Sequence, residues 1–352
     1  APSVSGRSAA TLSGTAQSFG VYLLGAFIAG FSMCLLNTVV NPMLNKLGGG
    51  GNKGNQLIQA GGSFNSLCGT AVIILTGLLI PEGIKNAQIS NVFPLMYAAL
   101  AIFAFAFVVI SLTKIPETKK EVGLKSAEAS KYGPLSFRHF ILGAIAIFVY
   151  VGIEVGIPNV LQKWLQNPDL NVLGGGVNAE AVAGSVAATY WFLMLVGRLL
   201  GAAIGSKVSA KSMLTVVSGV GLLLTLGAMF LPAVAVNLPV FNGSEGFGLV
   251  NVPINAALLV LIGLCTSIMW GGIFNLAVEG LGKYTEKASG IFMALVCGGG
   301  ILPLLQNAIV DVTDGGMGYL TSYWVIVVAL AYLLYYALVG SKNVNKDIPV
   351  TE

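Results

Sequence analysis

Charged residues are scarce in this chain of 352 residues, where they make up 9%, against about 25% in soluble domains. Hydrophobic residues make up 55%. A soluble protein of this length could not bury so much apolar surface. The composition therefore excludes a soluble globular protein and predicts an all-α protein that crosses a membrane several times.

Cysteine and histidine are also rare, with four cysteines and one histidine. The cysteines fall inside apolar stretches, without the spacing of a zinc site or a disulfide framework, and are expected to pack as small apolar side chains. His139 lies at the edge of an apolar stretch, either as an interfacial residue or as a pH sensor. The sequence has no Ser/His/Asp set and no paired carboxylates, so it predicts neither an enzyme nor a metal centre.

Long apolar stretches are abundant, and each has about the twenty residues that cross a ~30 Å hydrocarbon core. The nine predicted spans are 19–40, 57–80, 92–113, 139–162, 180–205, 213–236, 254–278, 289–310 and 318–340. A basic loop, 114–138, divides them into three and six.

Lysine and arginine are distributed unequally between the two sides of the membrane. If the spans alternate in direction, 15 of the 18 basic residues lie on one side, and Arg7, Lys85 and Lys163 lie on the other. Such sorting marks cytoplasmic loops and is unlike a nucleic-acid-binding patch. The central loop and the C-terminus are therefore predicted to be cytoplasmic, with residue 1 outside.

A short internal similarity relates the second span to the eighth. Gly62-Ser-Phe-Asn-Ser-Leu67 matches Gly290-Ile-Phe-Met-Ala-Leu295, and each follows a basic loop. Spans one to three have the same orientation as spans seven to nine. Because helical transporters are commonly built from two similar halves, we expect a 12-span protein whose first three spans are missing from this chain.

Glu154 is the most informative polar residue, because it lies in the middle of the fourth span. An ionisable group at that depth costs at least ~2.5 kcal/mol, so it should face a bundle interior or a watery cavity. Its carboxylate could accept two hydroxyl hydrogen bonds, as sugar recognition requires, or exchange a proton. Tyr150, one turn earlier on the same face, could stack on a sugar ring. The alternative is a structural carboxylate bonded to neighbouring helices.

Amide side chains at membrane depth would suit a neutral polyhydroxylated ligand, although each could equally join helices to one another. Those predicted at depth are Asn37, Gln59, Asn65, Asn159, Gln162, Asn275, Gln306 and Asn307. Trp270, central in the seventh span, is either a packing aromatic or a stacking platform for the ligand.

Arg198 lies in Gly197-Arg-Leu-Leu-Gly201 at the cytoplasmic end of the fifth span, and Glu279 ends the seventh span at the same level. The sequence therefore allows a gating ion pair between Arg198 and Glu279. The alternative is that Arg198 is an interfacial anchor.

These motifs resemble the major facilitator superfamily and, within it, the fucose/glucose/galactose permease family of bacterial sugar–cation symporters. The segments that carry the resemblance are Asn41-Pro42, Phe64-Asn65-Ser66, Tyr150-Val-Gly-Ile-Glu154, Gly197-Arg198 with Gly201, and the stretch from Gly282 through Gly300 to Pro303. The resemblance covers nearly the whole chain from about residue 19 and implies the major facilitator fold, with helices four to twelve of twelve present.

The resemblance also implies where the domains begin and end. Residues 1–113 would be a partial N-terminal half, 114–138 the cytoplasmic central loop, 139–341 the C-terminal six-helix half, and 342–352 a cytoplasmic tail. Asn37 replaces the glutamate of fucose permeases that takes part in proton coupling, which favours glucose or galactose over fucose. Gly62 replaces a family glutamine, which puts one substrate contact in doubt.

We therefore expect a monomeric importer of a hexose in the bacterial inner membrane, driven by co-transported H⁺ or Na⁺, with no other cofactor. The expected sugar contacts are Glu154, Tyr150, Asn65, Asn159, Asn37, Trp270 and Asn275. Gly197, Arg198, Gly201 and Glu279 are expected to serve gating. The alternatives are an exporter, a carrier of another small polar solute such as an oligosaccharide, or a membrane protein that does not transport.

Overall fold

The computed structural model describes residues 9–79, 89–114, 132–174, 179–241, 247–313, 317–345 and 347–350. Most of the central loop, together with Arg7 and Lys85, lies outside these ranges. The central loop divides the described chain, in sequence, into a first part before it and a second part after it. The first part has three helices: α1 (Ala9–Leu47), α2 (Gly51–Leu79) and α3 (Ile89–Leu112).

The second part begins after a 3₁₀ turn at Pro134–Ser136 and contains nine helices and two strands. In chain order these are α4 (Arg138–Gln166), α5 (Ala179–Ile204), α6 (Ala210–Phe230), β1 (Ala235–Phe241), β2 (Phe247–Pro253), α7 (Ile254–Thr266), α8 (Met269–Val278), α9 (Thr285–Ala294), α10 (Gly298–Val312), α11 (Met317–Ser322) and α12 (Trp324–Tyr335). A π-helical turn, Tyr336–Gly340, follows α12.

Eight segments of the described chain are helical, long and apolar enough to cross a membrane. They are Phe19–Leu47, Phe93–Leu112, Arg138–Gln166, Ala179–Ile204, Ala210–Phe230, Ile254–Val278, Gly282–Val312 and Gly318–Gly340. Each matches one predicted span. The second predicted span is also a helix, α2.

Two of the spanning segments are interrupted in the middle. The break between α7 and α8 falls at Ser267–Ile268, and the break between α9 and α10 is a 3₁₀ turn at Leu295–Cys297. At the second break a side chain on Gly298 would collide with the backbone of Phe148, so glycine allows α10 to lie against α4. Irregular backbone at membrane depth is tolerated only where protein covers it or water reaches it.

The prediction that the sixth span continues to residue 236 was wrong. Helix α6 ends at Phe230, and the chain then forms an antiparallel hairpin in which Ala235 pairs with Pro253 and Phe241 pairs with Phe247. Along β1, Leu238 and Val240 are buried whereas Asn237 and Pro239 are exposed, which is the alternation of a strand. An apolar composition alone does not distinguish such a strand from the end of a helix.

The packed core lies in the second part. In the apolar windows of Arg138–Gln166 and Ile254–Val278, 61% and 72% of residues are buried, whereas none are buried in those of Phe19–Leu47 and Phe93–Leu112. Large aromatic side chains, including Tyr150, fill the centre of this core. The second part, which contains six of the predicted spans, therefore supplies the packed surroundings of the candidate site.

The two parts meet near the helix ends that carry most of the lysine and arginine, which we name the basic face (residues 46–53, 138, 204–211, 279–287 and 340–345). Here Asn275 Nδ2 donates to Asn45 Oδ1 (3.2 Å) and to the Gly51 carbonyl (3.0 Å). Ser289 Oγ donates to the Thr38 carbonyl (3.0 Å). Hydrogen bonds therefore join the two parts close to the basic face.

Candidate functional site

Arg198 is the centre of the polar network between the two parts. Its guanidinium donates to the Ser267 carbonyl (3.2 Å), the Gly62 carbonyl (3.0 Å), Ser66 Oγ (2.7 Å) and Glu154 Oε1 (3.4 Å). These partners lie at the α7–α8 break, on α2 and on α4. One side chain therefore joins three elements of the protein, two of them in one part and one in the other.

Glycines on α5 explain how Arg198 reaches these partners. A Cβ at Gly197 would overlap the Ser267 side chain, and a Cβ at Gly201 would overlap the Ile268 side chain. Small residues let helix backbones approach closely, and here they bring α5 against the α7–α8 break. The Gly197-Arg198 and Gly201 motif is thus a close-packing surface with one arginine projecting from it.

Glu154 lies halfway along α4, and its side chain is 13% exposed, beside an Arg198 side chain that is 9% exposed. Gly152 and Gly156 flank it in sequence and face α10, where added side chains would overlap Leu302 and Gln306. This packing fixes the rotation of α4, so that Glu154 points toward α5. Glu154 lies in the bundle interior as expected, and its ion pair with Arg198 of α5 is also the arrangement that the alternative, a structural carboxylate bonded to a neighbouring helix, describes.

An aromatic cluster adjoins the ion pair. The Tyr150 and Trp270 rings meet edge to face with centroids 6.3 Å apart, and Trp270 meets Phe292 in the same way at 6.3 Å. Tyr150 is fully buried, and its hydroxyl faces the Glu154 carboxylate without making a hydrogen bond of good geometry. Trp270 is half-buried, so part of its indole remains open to a ligand.

The structure separates the predicted amide contacts from one another. Asn65 is exposed on α2, next in sequence to Ser66. Asn37 donates to the Met33 carbonyl of its own helix (3.1 Å). Asn159 accepts from Asn307 Nδ2 (3.3 Å), more than one turn beyond Glu154 along α4.

Asn275 lies in the second half of α8, and Glu279 follows the last residue of that helix. Asn275 is 5% exposed and is bonded to the first part at the basic face, away from Trp270. The expected ion pair between Arg198 and Glu279 is absent from this structure, because Arg198 points inward to Glu154. Glu279 is exposed where α8 ends, and its carbonyl oxygen lies 3.0 Å from His139 Nε2.

Several residues of the network were not predicted as site residues. Gln59 donates to the Ile268 carbonyl across the interface (2.8 Å), and Ser66 and Ser267 contact Arg198. A signal for two of them existed in the sequence. Gln59, Gly62 and Ser66 recur at helical spacing along an otherwise apolar span, which marks the face that α2 turns toward a partner.

This arrangement can bind a neutral polar ligand. Glu154 has acceptor capacity beyond the single bond to Arg198, and the indole of Trp270 offers a flat apolar surface. Within the described ranges, no group of three or more His, Cys, Asp or Glu side chains is placed to hold a metal ion.

Comparison with known proteins identifies the family. No family model matches the chain. A putative glucose/galactose transporter of Helicobacter pylori (strain J99) is 30% identical over 338 residues, which cover 93% of this chain and 75% of that protein. The chain belongs to the glucose/galactose transporter family. The resemblance to sugar symporters of the major facilitator superfamily is thereby confirmed, and the family is one of transporters and not of enzymes.

Two further relatives agree. A glucose/galactose transporter of Brucella abortus is 29% identical over 336 residues, covering 93% of this chain and 74% of that protein. The L-fucose-proton symporter of Escherichia coli is 22% identical over 318 residues, covering 84% of this chain and 67% of that protein. The chain thus spans about three quarters of the length of the glucose/galactose transporters that it matches.

Solved structures confirm the fold. A crystal structure of the Escherichia coli fucose:proton symporter superposes with a TM-score of 0.71 at 19% identity, covering 94% of this chain and 79% of that one. A major facilitator superfamily transporter in the outward conformation superposes with a TM-score of 0.69, also at 19% identity, covering 93% of this chain and 78% of that one. The predicted major facilitator fold is therefore correct.

Proposed function

We propose that the full-length protein imports a hexose, glucose or galactose in preference to fucose, by symport with a cation. The observation that carries this proposal is the buried Glu154–Arg198 pair beside Tyr150 and Trp270, where the two parts of the chain meet. The names of the glucose/galactose transporters that resemble this chain support the hexose.

In this proposal Glu154 accepts hydrogen bonds from two sugar hydroxyls, and Trp270 stacks on the sugar ring. Tyr150, which is fully buried, supports the Trp270 ring. Arg198 holds Glu154 in place while no sugar is bound. Asn65 lies next to Ser66 and would approach the sugar from the first part, whereas Asn37 and Asn159 would line the approach.

The gate is proposed to be the basic face, taken as cytoplasmic from the sorting of the lysines and arginines. In this proposal the hydrogen bonds that join the two parts close to this face hold it closed, in a state that is open to the outside. Asn275 and Ser289 bond to the first part, so these bonds must break when the cytoplasmic side opens. We therefore propose that Asn275 serves gating and does not bind sugar.

Glu154→Gln in the full-length protein tests this proposal. The amide keeps the size of the side chain but cannot carry the charge that balances Arg198 and accepts sugar hydroxyls. We expect most uptake of labelled glucose or galactose to be lost, with unchanged amounts of protein in the membrane. Asp169→Asn is the matched control, because Asp169 is an exposed acid in the turn after α4, away from the basic face. Unchanged uptake by Glu154→Gln would contradict the assignment of Glu154 to the sugar site.

Competition assays identify the solute and the ion. We expect unlabelled glucose and galactose to compete with labelled hexose better than fucose or a disaccharide does. Collapse of the proton gradient and replacement of Na⁺ then distinguish the two coupling ions. Efflux without uptake would indicate an exporter. A complete lack of counterflow in proteoliposomes would indicate a membrane protein that does not transport.

A further inference from the structure

Backbone carbonyls at the break between α7 and α8 accept hydrogen bonds from side chains of two other helices, and the Ile268 carbonyl also accepts from the Gly272 N–H (3.2 Å). Arg198 Nε donates to the Ser267 carbonyl (3.2 Å), and Gln59 Nε2 donates to the Ile268 carbonyl (2.8 Å). Arg198 belongs to the same part of the protein as the break, whereas Gln59 comes from α2 in the other part. The break is therefore held from both sides of the interface.

Gln59 is built into the interface and does not lie on its rim. The residue is 3% exposed. Gly271, in the first turn of α8, leaves the space that Gln59 occupies, because a Cβ there would lie 2.7 Å from Gln59 Nε2. The neighbouring Ile58 lies 3.2 Å from the same point and closes the other edge of this space. The glutamine side chain thus fits against the backbone of α8.

This contact lies next to the aromatic cluster of the candidate site. Trp270 falls between the bonded carbonyl of Ile268 and the space at Gly271, and its ring contacts those of Tyr150 and Phe292. The backbone that Gln59 holds is therefore the backbone that orients Trp270. A shift of the first turn of α8 would move the indole.

We infer that Gln59 is a positioning residue that couples the closed gate to the sugar site. From α2 it holds the first turn of α8, so that Trp270 is oriented to stack on sugar only while the basic face is closed. When the two parts separate at the basic face, the bond to Ile268 is lost and the indole is released. This inference rests on the proposed sugar site and adds the link between that site and the gate.

Gln56 provides a matched control on the same helix. It lies one turn before Gln59, and its Nε2 also donates across the interface, to the Ala202 carbonyl of α5 (2.9 Å). Gln56 and Gln59 thus make the same kind of bond between the two parts. Only the bond from Gln59 reaches α8, so a comparison of the two separates positioning of Trp270 from general closure of the gate.

The experiment compares Gln59→Met and Gln56→Met in the purified full-length protein. The first measurement is the ligand-free emission of Trp270, taken as the difference between each protein and the same protein carrying Trp270→Phe. The second is the Kd for glucose and for galactose. Since interhelical hydrogen bonds in membranes contribute about 0.6 and at most about 1.7 kcal/mol, we expect Gln59→Met to raise the Kd about threefold to about twentyfold.

We expect the Trp270 emission to shift in Gln59→Met and to stay unchanged in Gln56→Met. Gln59→Asn, whose amide is one methylene too short, should behave like Gln59→Met and serves if the methionine variant does not fold. An unshifted Trp270 emission in Gln59→Asn, or equal shifts in the Gln56 and Gln59 variants, would overturn the inference. If no protein binds either sugar, the proposed function fails, while the ligand-free emission still tests the role of Gln59.

Discussion

Removal of the Arg198 guanidinium tests the network most directly. Arg198→Met keeps a long flexible side chain but removes the charge and all the donors. It leaves Glu154, which is 13% exposed, without its partner. Breaking a buried ion pair by removing one partner typically costs about 3–5 kcal/mol. The 3.4 Å separation is long for a charge-assisted bond, so we expect a value near the lower end of that range.

The second variant in this test is Glu154→Gln, whose amide oxygen can still accept from Arg198. We expect it to cost about 1–3 kcal/mol, the range for loss of a buried charged hydrogen bond. In the double variant no unpaired charge remains. The double variant should therefore lose less unfolding free energy than the sum of the two single losses, and the difference should be about 0.5–3 kcal/mol.

The assay is the free energy of unfolding of the full-length protein, measured by titration with sodium dodecyl sulfate in mixed micelles. Lys207→Met is the control, because Lys207 is an exposed basic residue just beyond the same helix, α5. It should change the free energy by less than about 0.5 kcal/mol. Equal losses for Arg198→Met and Lys207→Met, or full additivity in the double variant, would refute the pairing.

Three further predictions concern packing, capping and surface charge. Gly201→Val should destabilise the protein by about 1–3 kcal/mol, because it drives a side chain into the α7–α8 break. Gly219→Ala should not destabilise it, because a Cβ there meets nothing within 4 Å. The same titration measures both variants. Asn255→Ala should cost about 1–3 kcal/mol and lower the melting temperature, because its buried amide bonds the last carbonyls of α6; an unchanged melting temperature would contradict this. Lys46→Ala should cost less than about 0.5 kcal/mol at any salt concentration, since its ion pair with Glu286 is exposed; a larger, salt-dependent loss would speak against it.

Most of the fold could be predicted from the sequence, because each membrane span carries its own signal. A span must be long and apolar and must satisfy its own backbone, so its position depends on about twenty consecutive residues and little on the rest of the chain. The hairpin after Phe230 was missed because a short apolar segment fits a strand or a helix end equally well.

The candidate site was only partly predictable. Glu154 was selected because a carboxylate at membrane depth is costly and therefore uncommon, and Tyr150 because it lies one turn earlier on the same helix face; their contact with a sugar stays a prediction. The partner of Arg198 was not predicted, because the sequence allowed an ion pair with Glu279 or an interfacial anchor, whereas the structure pairs Arg198 with Glu154. The predicted topology places Arg198 and Glu279 at a similar depth in the membrane. It does not give the direction in which either side chain points.

The sequence by itself determined which segments lie in the membrane, which ends carry the positive charge and which residue holds a charge at depth. Tertiary structure decided how those residues meet. Arg198 reaches Glu154 because Gly197 and Gly201 let α5 approach the α7–α8 break, and Gln59 binds that break from the other part. Such contacts depend on the separation and rotation of packed helices, which no single segment encodes.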